Sequence, residues 1–264
     1  MPRAKRRLGQ HFLSDRRILQ RIADALGATP GDTVLEVGPG PGGLTEALAA
    51  AAGRVVAIEK DAELVPALRA RVPGVTVVVA DALEADWRAI AGPDYLVAGN
   101  IPYNITSPLI DKALEPPRPR RIVFLVQKEV ADRVGAEPGT GAYGALSVGV
   151  QAVARAERLF TVPAGAFQPK PKVDSAVLRL TPLGEPVVTD DEVEPFRRLV
   201  VGLFGFRRKQ ILRGLRELTG WEADRVARIL ASAGIPPTVR PETVSPPAFA
   251  GLLRALVDGG WAGR

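Results

Sequence analysis

The sequence predicts an α/β fold: a largely parallel seven-stranded sheet covered by helices, followed by a small helical domain. Three observations carry this. Short, nearly continuous apolar runs alternate with helix-length stretches through the first 134 residues, the pattern of parallel strands buried on both faces. Two later apolar runs have no helix between them and read as a terminal antiparallel pair. Beyond the linker-like Pro182-Leu-Gly-Glu-Pro186, only helical periodicity remains.

The elements follow in order. After a basic arm, Asp15 to Leu26 places Ile18, Leu19, Ile22 and Leu26 at helical spacing and stops at Gly27. Strands are expected at 33–37, 54–58, 75–79, 95–98 and 122–126. Helices are expected near 43–52, 61–71, 83–90, 106–115 and 127–134. Residues 154–162 and 173–180 supply the antiparallel pair. Seven strands ending this way distinguish a Rossmann-like sheet of the class I methyltransferase type from the six-stranded dinucleotide-binding one. Helices at about 192–204, 207–219, 222–233 and 246–257 form the remainder. The expected domains are therefore 1–184, for the sheet with its basic arm, and 185–264, a small helical domain whose expected RNA-binding role rests on the charge pattern and resemblance given below.

Composition narrows the chemistry. A chain of 264 residues, 46% hydrophobic, can bury a full core. No apolar run approaches the roughly 20 residues that span a bilayer, and the basic start leads into no signal-peptide segment. Without cysteine there is no disulfide, thiolate metal site or cysteine nucleophile, which excludes base-carbon methylation through a cysteine adduct. A single histidine argues against a histidine-rich metal site. A reducing cytoplasm is the expected compartment. Net charge is +6 overall, yet +6 sits in residues 1–21 and +7 in 197–216, leaving −7 on everything else. The first patch holds Arg3, Lys5, Arg6, Arg7, Arg16, Arg17 and Arg21; the second centres on Arg207, Arg208 and Lys209. Basic charge gathered into patches on an acidic body is the footprint of a polyanion binder; the plainer reading is a solvated, arginine-biased surface.

The cofactor signals lie at strand ends. Gly38, Gly40 and Gly43 keep G-x-G-x-x-G spacing between a strand and a helix, where glycine permits a tight turn and close approach to a ligand. Glu59 ends the next strand, where a carboxylate can accept hydrogen bonds from ribose hydroxyls; it could also be a helix-start acid. Asp81 follows the third strand and could accept from an adenine amino group, or cap a helix near Ala82. Glycines and Glu59 suit nicotinamide cofactors and S-adenosylmethionine alike. No Tyr-x-x-x-Lys pair occurs and the only histidine lies in the arm, so S-adenosylmethionine is favoured.

Asn100-Ile-Pro-Tyr103 ends the apolar run 95–99. An exocyclic adenine amine is a poor nucleophile because its lone pair is delocalised into the ring. The Asn100 side-chain carbonyl and the Ile101 backbone carbonyl, stiffened by Pro102, can accept its two N–H bonds and free that lone pair. Tyr103 can stack on the base. The same four residues could form an ordinary strand-end turn.

These residues resemble the rRNA adenine N6,N6-dimethyltransferase family of the KsgA type. Arg7-Leu-Gly-Gln-His-Phe-Leu13 resembles its N-terminal arm, Glu36-Val-Gly-Pro-Gly40 its cofactor turn and Asn100-Ile-Pro-Tyr-Asn-Ile105 its catalytic motif. Phe124-Leu-Val-Gln-Lys-Glu-Val130, Ala142-Tyr-Gly-Ala-Leu-Ser147, Phe167-Gln-Pro-Lys-Pro-Lys-Val-Asp-Ser175 and Arg207-Arg-Lys209 resemble later blocks, in the expected order. The resemblance implies cofactor contacts from His11, Leu13, Gly38, Glu59, Asp81 and Asn100. It implies that Phe167, by residue type a core residue, covers the target base opposite Tyr103. Position 11 is often asparagine in the family, which implies contact through backbone and a dispensable imidazole. Arg207, Arg208 and Lys209 would contact phosphate. The implied activity is S-adenosylmethionine-dependent dimethylation of adenine N6 in small-subunit rRNA, within a pre-30S particle, by a monomer with no membrane partner. The rivals are a 23S rRNA methyltransferase of the macrolide-resistance type, a non-catalytic assembly or transcription factor on this fold, and a nicotinamide oxidoreductase.

Overall fold

A computed structural model describes residues 9–263; the basic residues Arg3, Lys5, Arg6 and Arg7 lie outside that range. The chain divides into two compact units, residues 1–131 with 156–182, and 132–155 with 183–264. The expected boundary at 184/185 therefore misses one excursion: residues 132–155, sequentially inside the sheet region, belong to the helical unit.

The first unit is built on a seven-stranded sheet. Its strands are β2 (Thr33–Val37), β3 (Arg54–Glu59), β4 (Thr76–Val79), β5 (Leu96–Asn100), β6 (Ile122–Gln127), β7 (Ala154–Val162) and β9 (Ser175–Pro182), in the spatial order β4-β3-β2-β5-β6-β9-β7. β2 pairs parallel with β3 and β5, β3 with β4, and β5 with β6, whereas β9 runs antiparallel to β6. Successive strands leave β2 in opposite directions, so the sheet has a switch point between β2 and β5, where open α/β sheets form a ligand crevice. A separate two-stranded pair joins β1 (Phe12–Leu13) to β8 (Phe167–Gln168), antiparallel. Strands of two residues carry no periodicity, which is why the sequence does not announce them.

One face of the sheet is covered by α1 (Arg16–Leu26) and α2 (Gly43–Ala51). Asp15 caps α1 by accepting the Arg17 and Ile18 N–H groups. Leu19, Ile22 and Leu26 then meet Val34, Leu96 and Val123 in the core. The helices α3 (Val65–Arg71), α4 (Trp87–Ala91) and α5 (Thr106–Ala113), with α6 (Lys128–Val134) after β6, complete the alternation.

The second unit holds α7 (Ala145–Gln151), α8 (Val193–Gly205), α9 (Ile211–Thr219), α10 (Ala223–Ser232) and α11 (Pro246–Asp258). Tyr143 lies fully buried at its centre, donating its hydroxyl to the Val244 carbonyl at 2.9 Å and meeting Phe204 edge-on at 6.2 Å. A buried phenol needs such a partner. Arg254 of α11 forms a two-pronged bond with Glu192, at 2.8 and 2.9 Å, and Glu192 also accepts the Thr189 N–H. The Arg254 guanidinium, above all, holds the Glu192 carboxyl down to about 2.

A carboxyl whose folded value is depressed stabilises above its ordinary range, and that stability is lost as pH falls towards about 2. Glu192→Gln is expected to lower stability at pH 7 by about 1 kcal/mol or less, because the Arg254 side is half exposed. Thermal melts from pH 7 to pH 2 check this: the gap between variant and wild type closes in acid.

Candidate active site

The site forms at the carboxyl ends of the strands, within the first unit. β2 ends in a turn where Gly38 and Gly40 adopt φ of +67° and +55°, values that side chains disfavour. A Cβ at Gly40 would lie 3.1 Å from the Phe12 ring. The turn is stitched to β3 twice. Gly38 N–H donates to the Ile58 carbonyl at 2.9 Å, and Gly40 N–H donates to Glu59 Oε2 at 3.1 Å. Glu59 Oε1 accepts the Asp61 N–H at 2.7 Å. Burial pushes the Glu59 carboxyl up, while these backbone donors pull it back. Glu59 is thus part of the turn's scaffold, not merely a helix-start acid.

Asp81 faces the same cavity. One oxygen accepts the Leu83 N–H at 3.0 Å and the other meets the Lys60 ammonium at 2.6 Å. Lys60, then Leu83, hold its carboxyl below the usual range. The capping reading is therefore correct for one oxygen, although the capped segment is a turn and α4 starts only at Trp87.

At the end of β5, Gly99 allows close strand approach: a Cβ there would stand 2.6 Å from the Val37 carbonyl. Ile101 N–H donates to Leu125 O at 3.0 Å, continuing the ladder past the strand, and the Ile101 side chain is buried. Tyr103–Ile105 forms a short 3-10 turn. Asn100 Nδ2 donates to the His11 main-chain carbonyl at 2.8 Å, which leaves Asn100 Oδ1 as the acceptor for a ligand. The Tyr103 hydroxyl pairs with Ser175 Oγ at 2.7 Å, and burial raises its pKa, keeping the phenol neutral.

One cavity is lined by His11, Leu13, Gly38, Gly40, Glu59, Asp81 and Asn100–Tyr103 together. Phe167 is not among its lining residues. It is 3% exposed and packs in the core with Leu13 and Leu19, because its strand pairing with Leu13 turns it inward. Residue type, rather than the resemblance, describes its placement here. The His11 imidazole also departs from expectation: it stacks on Tyr103 and its Nδ1 lies 2.8 Å from the Pro169 carbonyl. In the second unit, Arg207 is bound to Glu242 at 2.6 Å and to the Gly141 carbonyl, and Lys209 to Glu217. Internal partners thus occupy two of the three expected phosphate contacts, while Arg208 is exposed, as are Arg213 and Arg216.

Glu36 is the residue that sequence reasoning passed over. It is 1% exposed, lines the cavity and has neighbours Ala57 and Ala98 on the flanking strands. Among the described residues, its Oε2 and the Thr45 hydroxyl have no hydrogen-bond partner. Burial, chiefly, raises its carboxyl to about 8, and the Glu59 charge adds to it. An acid inside an otherwise apolar strand, directly before the glycine turn, was the available signal.

The fold and cavity together define a class I methyltransferase. The chain belongs to the ribosomal RNA adenine dimethylase family, which it matches over residues 1–235. It is 44% identical to a Geobacter metallireducens protein named ribosomal RNA small subunit methyltransferase A, over 97% of this chain and 96% of that one. The crystal structure of a dimethyladenosine transferase from Plasmodium falciparum superposes with a TM-score of 0.82 at 24% identity, covering 95% of this chain and 98% of that one. The crystal structure of the 23S rRNA methyltransferase ErmE gives 0.70 at 32% identity, covering 93% and 99%. Among the described residues, no helix is long and apolar enough to cross a membrane, and no group of three or more acidic or histidine side chains is placed to hold a metal.

A carboxyl that holds its proton more tightly when folded stabilises fully below pH 4.5 and loses that contribution as pH rises towards about 8. Glu36→Gln is expected to melt close to wild type at pH 5 and progressively above it by pH 8, by about 2–4 °C for each kcal/mol regained. Parallel melting curves across that window would show that Glu36 is not a buried neutral acid.

Proposed function

We propose that this chain transfers methyl groups from S-adenosylmethionine to adenine N6 of small-subunit (16S) rRNA, dimethylating it during ribosome biogenesis. The observation that carries the reading is the single cavity joining the Gly38–Gly40 turn, Glu59 and Asp81 to Asn100–Tyr103. The buried Glu36 Oε2, unpartnered beside this cavity, suits a ligand that brings a hydrogen-bond donor. The cofactor supplies an activated methyl group on a sulfonium. Glu59 retains lone pairs for ribose hydroxyls, and Asp81 accepts from the cofactor's adenine amine. His11, Leu13 and the glycine turn wall the same space.

Asn100 Oδ1 and the Ile101 carbonyl accept the two N–H bonds of the target amine and draw its nitrogen towards tetrahedral geometry. Pro102 stiffens the segment and Tyr103 stacks on the base. The bound cofactor would supply its methyl group to that lone pair, the sulfur leaving as a neutral thioether, and one N–H proton would pass to water, since Asn100 is no base near neutral pH. Alignment supplies much of the acceleration. The target base must leave its stack, which costs less in a loop than in a duplex. Phe167 would cover the base only after turning out of the core.

The small-subunit substrate is favoured by the 44% identity to a protein bearing that name, against 32% to the large-subunit enzyme. Exposed Arg208, Arg213 and Arg216 are the phosphate contacts of the helical unit, added to the basic arm. The chain acts as a cytoplasmic monomer on a pre-30S particle.

The test is transfer of radiolabelled methyl to purified, unmethylated 30S and 50S subunits. Dimethyladenosine is expected in 30S alone, reduced about 10²-fold or more in Asn100→Ala. Label in 50S moves the substrate to 23S rRNA, and an Asn100→Ala protein as active as wild type removes the catalytic assignment. Arg208→Ala combined with Arg213→Ala is expected to raise KM for 30S several-fold and to flatten its salt dependence, checked by initial rates from 50 to about 200 mM salt.

A further inference from the structure

We propose that His11 is a positioning residue for methyl transfer, its main-chain carbonyl setting the Asn100 amide and its imidazole setting the Tyr103 ring. The proposal rests on the reaction given above and assigns a role to the imidazole itself. Three contacts converge on this residue. Its main-chain carbonyl accepts from Asn100 Nδ2 at 2.8 Å. Its ring stacks on Tyr103 with centroids 5.4 Å apart and planes 26° from parallel. Its Nδ1 stands 2.8 Å from the Pro169 carbonyl.

Each contact removes a specific freedom. A carbonyl only accepts, so the bond from Asn100 uses its amide nitrogen and points Oδ1 the other way. The same logic puts a hydrogen on His11 Nδ1 and fixes the plane of the imidazole. Tyr103 is already held at its far end, where its hydroxyl meets Ser175 Oγ at 2.7 Å. A ring fixed at Cβ and at the hydroxyl can still tilt about the line joining them. A stacked neighbour stops that tilt, and tilt is the coordinate a stacking base reads. The arm is itself anchored, because Phe12 and Leu13 pair with Gln168 and Phe167. His11 therefore transmits a fixed geometry from the β1–β8 pair to two of the groups that touch the target base, Asn100 and Tyr103.

The expectation from the resemblance, a dispensable imidazole, is reversed. The energetic signature is a loss in kcat, since the acceptor and the stacking face act on the amine, with cofactor affinity nearly unchanged.

The experiment compares His11→Ala, His11→Phe and His11→Asn with wild type on unmethylated 30S subunits, measuring kcat, KM for 30S and the Kd for S-adenosylmethionine, with melting temperatures as a fold control. His11→Phe keeps a ring and loses the Pro169 bond; His11→Asn keeps a donor and loses the ring. His11→Ala is expected to lower kcat about tenfold or more with Kd within about twofold. His11→Phe is expected to recover most of that loss and His11→Asn little. The proposal is overturned if His11→Ala keeps a kcat within about twofold of wild type, or if its loss lies in Kd alone. Should His11→Ala not fold, the remaining pair decides: Phe above Asn supports it, and parity or reversal overturns it. A wild-type protein inactive on 30S defeats the proposed function, and this role with it. An active wild type with indifferent variants defeats only the role of His11.

Discussion

The carboxylate of Glu59 is the tie on which the sheet edge depends. It accepts one N–H from the turn after β2 and one from the segment after β3, so a single side chain closes two adjacent strand ends. Ionising a buried carboxylate is costly, and only such directed donors offset the cost. With the bond from Gly38 to Ile58, they hold two glycines in left-handed backbone that would otherwise have many alternatives. A carboxylate has more lone pairs than these two bonds consume. The group that shapes the turn therefore still has capacity to recognise what the turn admits.

Around that tie the charges are graded. Glu36 lies deepest and is biased towards its neutral form. Glu59 is next, held between burial and backbone donors. Asp81 lies nearer solvent, ionised against Lys60. Two buried acids side by side resist simultaneous ionisation, and the Glu59 charge adds to the bias of Glu36 towards its neutral form. The polar groups after β5 are neutral: an amide whose nitrogen is already engaged and a phenol paired to a serine. Charged and neutral polar groups thus line one cavity.

The parallel sheet was legible because its strands are continuous apolar runs ending in glycine or acid, and the positions of Glu59 and Asp81 followed from strand ends alone. Gly27 as the stop of α1 was equally direct. What the sequence did not disclose depends on partners far along the chain. The β1–β8 pair joins residues more than 150 positions apart, and that pairing is what buries Phe167. Arg207 reads as an anion contact until Glu242 is brought beside it. Charge density along a sequence counts cations without counting their folded neighbours, so it overstates the supply available to a ligand. Tyr143 belongs to a motif block, yet its partners Val244 and Phe204 follow long after it.

The placement of residues 132–155 has a consequence for how such a protein can be inherited. The helical unit takes one stretch from the middle of the chain and one from its end, so the polypeptide leaves the sheet unit, returns, and leaves again. A module joined at a single point can be gained, lost or exchanged by one recombination event. This one cannot: a crossover at residue 182 would carry away four helices and leave behind α7 and the buried Tyr143 that complete their core. Catalytic sheet and helical unit are therefore bound to a shared lineage by the path of the chain, whatever the affinity between their surfaces.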